Sequence, residues 1–547
     1  MGVVREHLEF LAAKVVQQAN CSDLAKQSMG KSVKLLPHAE DRTIMPLRSL
    51  SRRGLLRIGA SGALLAASSG KFPSALAATP GLDETRDFVL EPGMVLRWQN
   101  GEPLIERDIQ ILVRGGRIEA VQTKPLPASI PRLEMSNCLL LPGFISGHTH
   151  VSAGTPTRGL IESGRSDLRP LELVEALLDN EELDALTEYN LAELLLSGCT
   201  TQLEMSCTLR QAESYVRVAS RFGARGYPGA MLPNLTRLGP IITATGDGAL
   251  YQAEAGTLEE IEQNLAFGRK YGGAADGRIM PMMSPMAADF HTPETMKAIA
   301  KAASELGTGI HTHLAWHPME NPTMQRRWGR TSAQWLDDFG LLDGPFFGAH
   351  MGYPDWSVDA PLLSQKGAIY AHCPGMSGLG GKTQPYPEAL GHGIRTNVGI
   401  DTHSNNYLEV LKLAVITGQA RYHLLKNNSE LPIVEPTMLE AIKGATLYPA
   451  EALGRSDLGR IEEGALADLI AVDVSGFLVG AGALPPEPLN NLLYASGPQV
   501  RHVMTQGRLQ VRNGQLQVAD GTAVMQRGGK VIQKIWTALQ AEGWLPS

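Results

Sequence analysis

Two histidines, His148 and His150, follow a short apolar segment in the sequence PGFISGHTH, residues 142–150. Side chains alternate between the two faces of a β-strand, so residues two apart point the same way. Two neutral imidazoles that converge on one point are typical ligands of zinc and similar ions. A His-x-His pair alone is a weak signal, because a hydrogen-bonded histidine in a core is its ordinary alternative. Other residues must decide between the two interpretations.

Further segments that resemble strands end in a ligand-type residue, and helix-forming sequence separates them. These ends are His313, His350, His372 and Asp401. Alternation of strands and helices favours a parallel sheet. In a (β/α)8 barrel the carboxyl ends of the strands form the active-site face, and packing alone does not explain such residues there on several strands. The sequence therefore predicts an α/β fold, a (β/α)8 TIM barrel over 142–454.

Short strands separated by turns are also predicted on both sides of this region, at 88–90, 94–97, 109–113 and 117–121, and again at 467–472, 500–504 and 509–511. The simplest arrangement is a small β-sandwich domain formed from both chain ends. Residues 79–141 would supply its first part. Residues 455–547 would supply its second part and a C-terminal tail.

The N-terminal region resembles an export signal. An arginine pair in SRRGLLR, 51–57, precedes an apolar stretch at 58–67 and small residues at 74–78. We expect a twin-arginine-type signal peptide at 45–78 and an N-terminal extension, ordered or disordered, at 1–44, with Met45 as an alternative start. The stretch is too short for a membrane span. A chance arginine pair before an Ala-rich helix is the other interpretation. The signal predicts contact with the twin-arginine export machinery and a periplasmic or exported protein.

The composition is that of a globular protein, with 43% hydrophobic residues, 19% charged residues and a net charge of −7. This balance argues against nucleic acid or an anionic membrane as the main partner. A small-molecule substrate and a homo-oligomer are also expected. Four cysteines lie beyond the predicted signal and lack paired CxxC spacing. Buried free thiols are expected, and a disulfide between Cys199 and Cys207 is the alternative.

The order of several short motifs resembles the amidohydrolase superfamily. They are LPGF (141–144), HTH (148–150), TRG (157–159), GCTT (198–201), HTHLA (311–315), GAH (348–350), HCP (372–374), IDTHSNN (400–406), GAT (444–446) and LGRIEEG (458–464). The resemblance covers nearly all of 85–520. It is strongest to the one-metal branch that includes cytosine and adenosylhomocysteine deaminases and triazine hydrolases.

By this resemblance, one divalent metal ion is bound by the following four residues: His148, His150, His313 and Asp401. The segment 278–284 has no Lys that could be carboxylated to hold a second metal. Zinc is expected, with iron, cobalt or manganese as alternatives. The catalytic residues would be Asp401, which accepts a proton from water and passes it to the leaving nitrogen, and His350, which hydrogen-bonds the oxyanion or the water.

One position departs from the deaminases, which have an acid three residues after the histidine of the fifth strand. Here Trp316 follows His313, and an indole has no proton to give a ring nitrogen. This favours hydrolysis of an amide, urea, carbamate or related non-peptide C–N bond. A deaminase or dechlorinase of an N-heterocycle is the alternative, and a catalytically inactive metal-binding or ligand-binding protein is the third hypothesis. The candidate substrate contacts are Trp316, Arg158 and His403, and the candidates to replace the acid are His317 and Glu320.

Overall fold

The computed structural model describes residues 87–160, 162–165, 168–243, 248–379, 383–402 and 404–545. The predicted extension at 1–44, the predicted signal peptide at 45–78 and the candidate substrate contact His403 all lie outside the described residues. Within these ranges, no helix has both the length and the apolar character that a membrane crossing requires.

Five strands precede the predicted barrel region. They are β1 (Phe88–Gln99), β2 (Glu102–Glu106), β3 (Gln110–Arg114), β4 (Arg117–Gln122) and β5 (Arg132–Pro142). The sequence predicted two strands where the structure has the single strand β1, and it did not predict β2 or β5. Strand β1 continues through Pro92 because its pairing with β5 shifts register between Pro92 and Met94. Such an irregularity is where a strand tolerates proline.

Eight short strands alternate with helices in the middle of the chain. They are β6 (Phe144–Thr149), β7 (Cys199–Ser206), β8 (Arg225–Leu232), β9 (Ser284–Pro285), β10 (Ile310–Leu314), β11 (Phe346–His350), β12 (Ile369–His372) and β13 (Thr396–Val398). Strands β6–β9 and β10–β13 form two four-stranded sheets in chain order, and every pairing within them is parallel. Isolated parallel bridges connect the two sheets at Met283–Ile310 and Thr149–Asp401. The predicted alternation of parallel strands and helices is confirmed.

Four strands follow this region, namely β14 (Leu469–Asp473), β15 (Val500–Thr505), β16 (Arg508–Arg512) and β17 (Gln515–Leu516). They join the N-terminal strands in one nine-stranded sheet of order β17-β16-β15-β14-β5-β1-β3-β4, with β2 paired to β1. The two ends meet where β14 runs antiparallel to β5, with Leu469 opposite Pro142. Side chains from both ends, including Phe88, Leu140 and Leu469, share one buried cluster.

The helices of the described chain connect these strands. They are α1 (Leu168–Leu177), α2 (Asn180–Leu196), α3 (Leu209–Phe222), α4 (Leu235–Thr243), α5 (Gly248–Tyr271), α6 (Ala274–Gly277), α7 (Pro293–Leu306), α8 (Glu320–Trp328), α9 (Ser332–Asp338), α10 (Asp359–Lys366), α11 (Pro374–Leu379), α12 (Tyr386–Gly391), α13 (Tyr407–Leu425), α14 (Met438–Ala445), α15 (Leu447–Ala452), α16 (Pro488–Asn491) and α17 (Gly521–Ala541). Helix α7 begins and ends where the sequence predicts. Thr292 caps its first turn, Pro293 is its first residue, and Gly307 ends it with a left-handed φ of 67°.

Helix α17 occupies the segment that the sequence assigned to a C-terminal tail. Asp520 caps it by accepting hydrogen bonds from the Thr522 and Ala523 N–H groups. Its buried residues, among them Ile535, pack in the same cluster as Leu160 and Phe290 from the loops after β6 and β9. The Trp536 indole N–H also donates to the Pro156 carbonyl at 3.0 Å. The helix therefore supports the segment that follows the predicted metal-binding strand β6.

A buried ion pair joins β8 to the chain just before β14. The Arg225 Nε and Nη2 atoms lie 2.8 and 3.2 Å from the two carboxylate oxygens of Asp468, and both side chains are buried. The Gln506 backbone N–H adds a third donor to this carboxylate, at 2.7 Å. Loss of one partner leaves an uncompensated charge in the interior, which is more costly than loss of an exposed pair.

Asp468→Ala is therefore expected to lower the free energy of unfolding by about 3–5 kcal/mol. Urea-induced unfolding of the purified protein measures the change. The matched control is Glu305→Ala, which removes the exposed partner of Arg269 and should change the unfolding curve little. Equal effects of the two substitutions would show that the buried pair has no special role in joining β8 to the segment before β14.

Candidate metal centre

His148, His150 and Asp401 are brought together by the backbone. The Asp401 N–H donates to the His148 carbonyl at 2.9 Å, and the His150 N–H donates to the Asp401 carbonyl at 3.1 Å. These bonds place the Asp401 Oδ1 atom 3.8 Å from His148 Nε2 and 3.6 Å from His150 Nε2. Residues from the first and the eighth parallel strand regions thus face one point.

His313 reaches the same point from β10. Its ring centroid lies 4.9 Å from that of His148 and 6.0 Å from that of His150. The potential ligand atoms of His148, His150 and Asp401 lie within 4.8 Å of one another, and so do those of His148, His313 and His350. The structure therefore brings together all four residues that the sequence predicted as metal ligands.

Backbone carbonyls orient two of these imidazoles. The His150 Nδ1 atom lies 2.6 Å from the Met205 carbonyl oxygen, and the His313 Nδ1 atom lies 2.7 Å from the Met286 carbonyl oxygen. A carbonyl only accepts hydrogen bonds, so each Nδ1 carries the proton and each Nε2 has a free lone pair. A hydrogen bond of this kind at the other ring nitrogen is usual for a metal-binding histidine.

The remaining imidazole, His148, has a buried Nε2 atom that lacks a hydrogen-bond partner among the described residues. An unsatisfied buried nitrogen costs about 1–3 kcal/mol, which a bound cation would offset. Three imidazole nitrogens and a carboxylate are also the donor types that zinc and related divalent ions prefer. The residues present therefore fit a divalent metal ion.

Burial keeps these imidazoles neutral. It lowers the pKa of His150 to about 4, although the hydrogen bond to the Met205 carbonyl raises that pKa slightly. Burial and the neighbouring imidazoles hold the pKa values of His148 and His313 well below the usual range. At neutral pH their lone pairs are therefore available to a cation rather than occupied by protons.

His350, the last residue of β11, and Asp401, three residues after β13, have an unusual backbone conformation. Their φ angles are 76° and 65°, in the left-handed region that residues other than glycine rarely adopt. The conformation brings His350 Nε2 to 3.7 Å from Asp401 Oδ2. Non-glycine residues held in this region are frequent at functional sites.

Two residues of the site were missed from the sequence. His311 lies with its Nε2 atom 2.7 Å from His148 Nδ1, on the side of that ring away from Asp401. Glu204, at the end of β7, is buried and accepts hydrogen bonds from the Thr149 hydroxyl at 3.0 Å and the Val151 N–H at 2.7 Å. The spacing of two residues between His311 and His313 could have identified His311, because it is the spacing that predicted the first pair.

Arg158 is not brought to the imidazoles. Its guanidinium forms a two-point ion pair with the Glu193 carboxylate, and the Nη1–Oε1 distance is 3.0 Å. The two side chains line a cavity of about 810 Å³ together with Ser404, Asn405 and Arg501. None of the four predicted metal ligands lines this cavity. A role of Arg158 in substrate binding stays a prediction.

Trp316 does lie at the site. Its ring centroid is 5.9 Å from that of His313, with an angle of 42° between the planes, and the side chain is half-buried. The Trp316 backbone N–H donates to Glu320 Oε2 at 2.9 Å, which fixes the loop after β10. The indole therefore forms an apolar surface beside one of the predicted ligands.

The two candidates for the missing acid are held in a separate cluster with Asp289. His317 Nδ1 accepts a hydrogen bond from the Met319 N–H at 3.2 Å, and His317 Nε2 lies 3.0 Å from Asp289 Oδ2. Both of its ring nitrogens are thus engaged. Glu320 is completely buried, and burial together with the Asp289 carboxylate raises its pKa to about 8. The raised pKa favours the protonated form of Glu320, and the side chain has no contact with solvent.

Glu320→Gln is expected to change the pH dependence of stability. The pKa of Glu320 is raised from 4.5 to about 8 on folding, so the folded protein keeps a proton that the unfolded chain loses. The contribution of Glu320 to wild-type stability therefore falls as pH rises from about 4.5 to about 8, and Gln removes this contribution. Relative to wild type, the variant should gain roughly 2–5 kcal/mol across that window in urea unfolding. Glu294→Gln, at an exposed site, is the control. A pH-independent difference would contradict the assignment.

Comparison with known proteins agrees with this geometry. The sequence model of the amidohydrolase family matches residues 139–510. The chain is 31% identical over 396 residues to a 5-methylthioadenosine/S-adenosylhomocysteine deaminase of Natronomonas pharaonis, across 70% of this chain and 83% of that protein. It is 28% identical over 387 residues to a 5'-deoxyadenosine deaminase of Methanopyrus kandleri, across 69% of this chain and 81% of that protein.

Solved structures resemble the fold. An atrazine chlorohydrolase of Arthrobacter aurescens complexed with zinc matches with a TM-score of 0.69 and 21% identity, across 81% of this chain and 100% of that one. An adenosine deaminase of Xanthomonas campestris with bound zinc matches with a TM-score of 0.66 and 22% identity, across 82% and 99%. At this identity the likeness concerns the fold, and it implies an α/β fold of the TIM-barrel type.

The chain belongs to the amidohydrolase family. It is a hydrolase that acts on carbon–nitrogen bonds. The predicted superfamily is thereby confirmed. A divalent metal is the cofactor that these similarities and the candidate ligand groups support.

Proposed function

We propose that this protein hydrolyses a non-peptide C–N bond of a small molecule, such as an amide, urea or carbamate, with one divalent metal ion as cofactor. The observation that carries the proposal is the convergence of His148, His150, His313 and Asp401, with their potential ligand atoms in overlapping groups no wider than 4.8 Å. These four residues would hold the ion. When bound, a divalent ion supplies Lewis acidity and makes water a nucleophile near neutral pH.

We propose zinc as this ion, because zinc suits three imidazoles and one carboxylate. Iron, cobalt and manganese accept similar ligands and are the alternatives.

Asp401 and His350 divide the proton chemistry. The Asp401 carboxylate would accept the proton of the attacking water and pass it to the leaving nitrogen. Its Oδ2 atom lies 3.7 Å from His350 Nε2, so the imidazole faces the region where the substrate carbon would react. An N–H donor there would stabilise the oxygen that becomes negatively charged during the attack.

Trp316 favours hydrolysis of an amide, urea or carbamate over deamination of a ring. A leaving amine of an amide or carbamate can take its proton from Asp401, whereas an aromatic ring that loses ammonia also needs a proton on its ring nitrogen. Trp316 supplies none, and His317 and Glu320 are grouped with Asp289. The second candidate is a deaminase or dechlorinase of an N-heterocycle, and the names of the curated relatives, which are deaminases, favour its first form.

We also propose a wider organisation of the chain. The eight parallel strands would close a barrel over 142–454, a closure that the bridges Met283–Ile310 and Thr149–Asp401 support. Residues 79–141 and 455–547 would form the small β-sandwich.

The signal at 45–78 would direct twin-arginine export to the periplasm. The mature protein would assemble as a homo-oligomer.

His313→Ala is expected to lose most of its bound metal, because one of three imidazole ligands is removed. Elemental analysis of the purified protein measures zinc per chain, with a loss of tenfold or more in affinity as the expected scale. His423→Ala is the matched control, since this histidine is exposed and pairs with Glu435. Unchanged metal content in His313→Ala would refute the assignment of this ligand.

A substrate panel tests the reaction type. We expect the zinc-loaded protein to cleave compounds such as 4-nitroacetanilide, phenylurea or a phenyl carbamate. We expect no ammonia from 5′-methylthioadenosine or S-adenosylhomocysteine and no chloride from atrazine, and Trp316→Glu should not raise the C–N hydrolysis. Ammonia or chloride release by the wild type would favour the second candidate. Turnover that persists in Asp401→Asn, or metal binding without any turnover, would contradict the catalytic assignment.

A further inference from the structure

We propose that Gln384 is a positioning residue that fixes which ring nitrogen of His350 carries the proton. The proposal rests on the role given above to His350. Gln384 follows β12 and is 8% exposed, and its side chain lies between the start of α11 and the His350 ring.

The orientation of the Gln384 amide follows from a backbone donor. The Cys373 N–H donates to the Gln384 side chain at 3.0 Å. A backbone N–H only donates, so the amide atom that it meets must be the oxygen, Oε1. The Tyr370 hydroxyl at 3.1 Å and His372 Nδ1 at 2.9 Å face the same oxygen and hold it in place. The NH₂ group of Gln384 is therefore the group that points the other way.

The orientation of the amide determines the tautomer of His350. The Gln384 Nε2 atom lies 3.4 Å from His350 Nδ1. An amide NH₂ only donates, so His350 Nδ1 is the acceptor and carries no proton. An imidazole whose Nδ1 carries no proton has its single ring proton on the other nitrogen, so the His350 proton is on Nε2. That N–H faces Asp401 Oδ2 and the reaction region.

His350 thus has the opposite tautomer to the predicted ligands. His150 and His313 carry their protons on Nδ1, because carbonyl oxygens accept there, and their Nε2 lone pairs face the metal position. A protonated His350 Nε2 has no lone pair to give a metal, although His350 groups geometrically with His148 and His313. Gln384 therefore keeps His350 out of the ligand set and makes it a hydrogen-bond donor to the reacting oxygen.

Two substitutions separate this role from a structural one. Gln384→Glu keeps an oxygen for the Cys373 N–H but replaces the donor to His350 with an acceptor, which draws the His350 proton to Nδ1. Gln384→Met removes both interactions at similar volume. We expect Gln384→Glu to lower kcat about 100-fold with KM changed less than twofold, and Gln384→Met to lower kcat only about 10-fold. A residue that only supports the fold would give the reverse order, which would overturn the proposal.

The tautomer is also observed directly, without any substrate. Nitrogen-15 NMR of the zinc-loaded full chain, labelled at histidine and compared with His350→Asn for assignment, distinguishes protonated from unprotonated ring nitrogens. We expect His350 to be protonated at Nε2 in the wild type and at Nδ1 in Gln384→Glu. Protonation at Nδ1 in the wild type, or no change in Gln384→Glu, would overturn the proposal. This result does not depend on turnover, so failure of the proposed function and failure of this inference give different outcomes.

Discussion

The two backbone hydrogen bonds between Asp401 and the histidines of β6 are the constraint on which the site depends. They join the first and the eighth parallel strand regions, and they bring a carboxylate to imidazoles that lie about 250 residues earlier in the sequence. A side chain that far away in the chain has no local reason to approach them. Because the bonds involve backbone atoms, the approach does not depend on the rotamer of either partner.

In the site, neighbouring hydrogen-bond acceptors and donors determine which ring nitrogen of each histidine carries the proton. Burial alone makes all the imidazoles neutral, but it does not decide which nitrogen carries the proton. The carbonyls of Met205 and Met286 decide this for His150 and His313. An amide NH₂ decides it in the opposite sense for His350. The predicted metal ligands His150 and His313 thus differ from the hydrogen-bond donor His350 in the atom that contacts their Nδ1.

Sequence reasoning identified the residues whose role depends on strand alternation and on family motifs. The pair His148 and His150, the helix that starts at Pro293 and the parallel strands all follow from local patterns, and the structure agrees with each of them. The convergence of His313 and Asp401 on His148 was implied by the family resemblance and not by spacing. The ion pair between Arg158 and Glu193 was not predicted, because these residues lie 35 positions apart and no local pattern connects them.

Other features had no local signal at all. Gln384 lies in a loop, and only the position of the Cys373 N–H in three dimensions reveals its orientation. Helix α17 was not predicted, because its sequence contains several Gly residues and directly follows a region of predicted strands. Strand β1 was divided at Pro92 because proline normally interrupts a ladder, and the register shift that accommodates it depends on β5.

The nine-stranded sheet has a consequence for biosynthesis. Strand β5 borders β14, and more than 300 residues separate Pro142 from its partner Leu469. At about 5–20 residues per second, a ribosome needs from roughly 15 seconds to about a minute to make the intervening chain. During that interval one edge of β5 has no strand beside it, so the nascent N-terminal strands require shielding from other chains until translation is nearly finished.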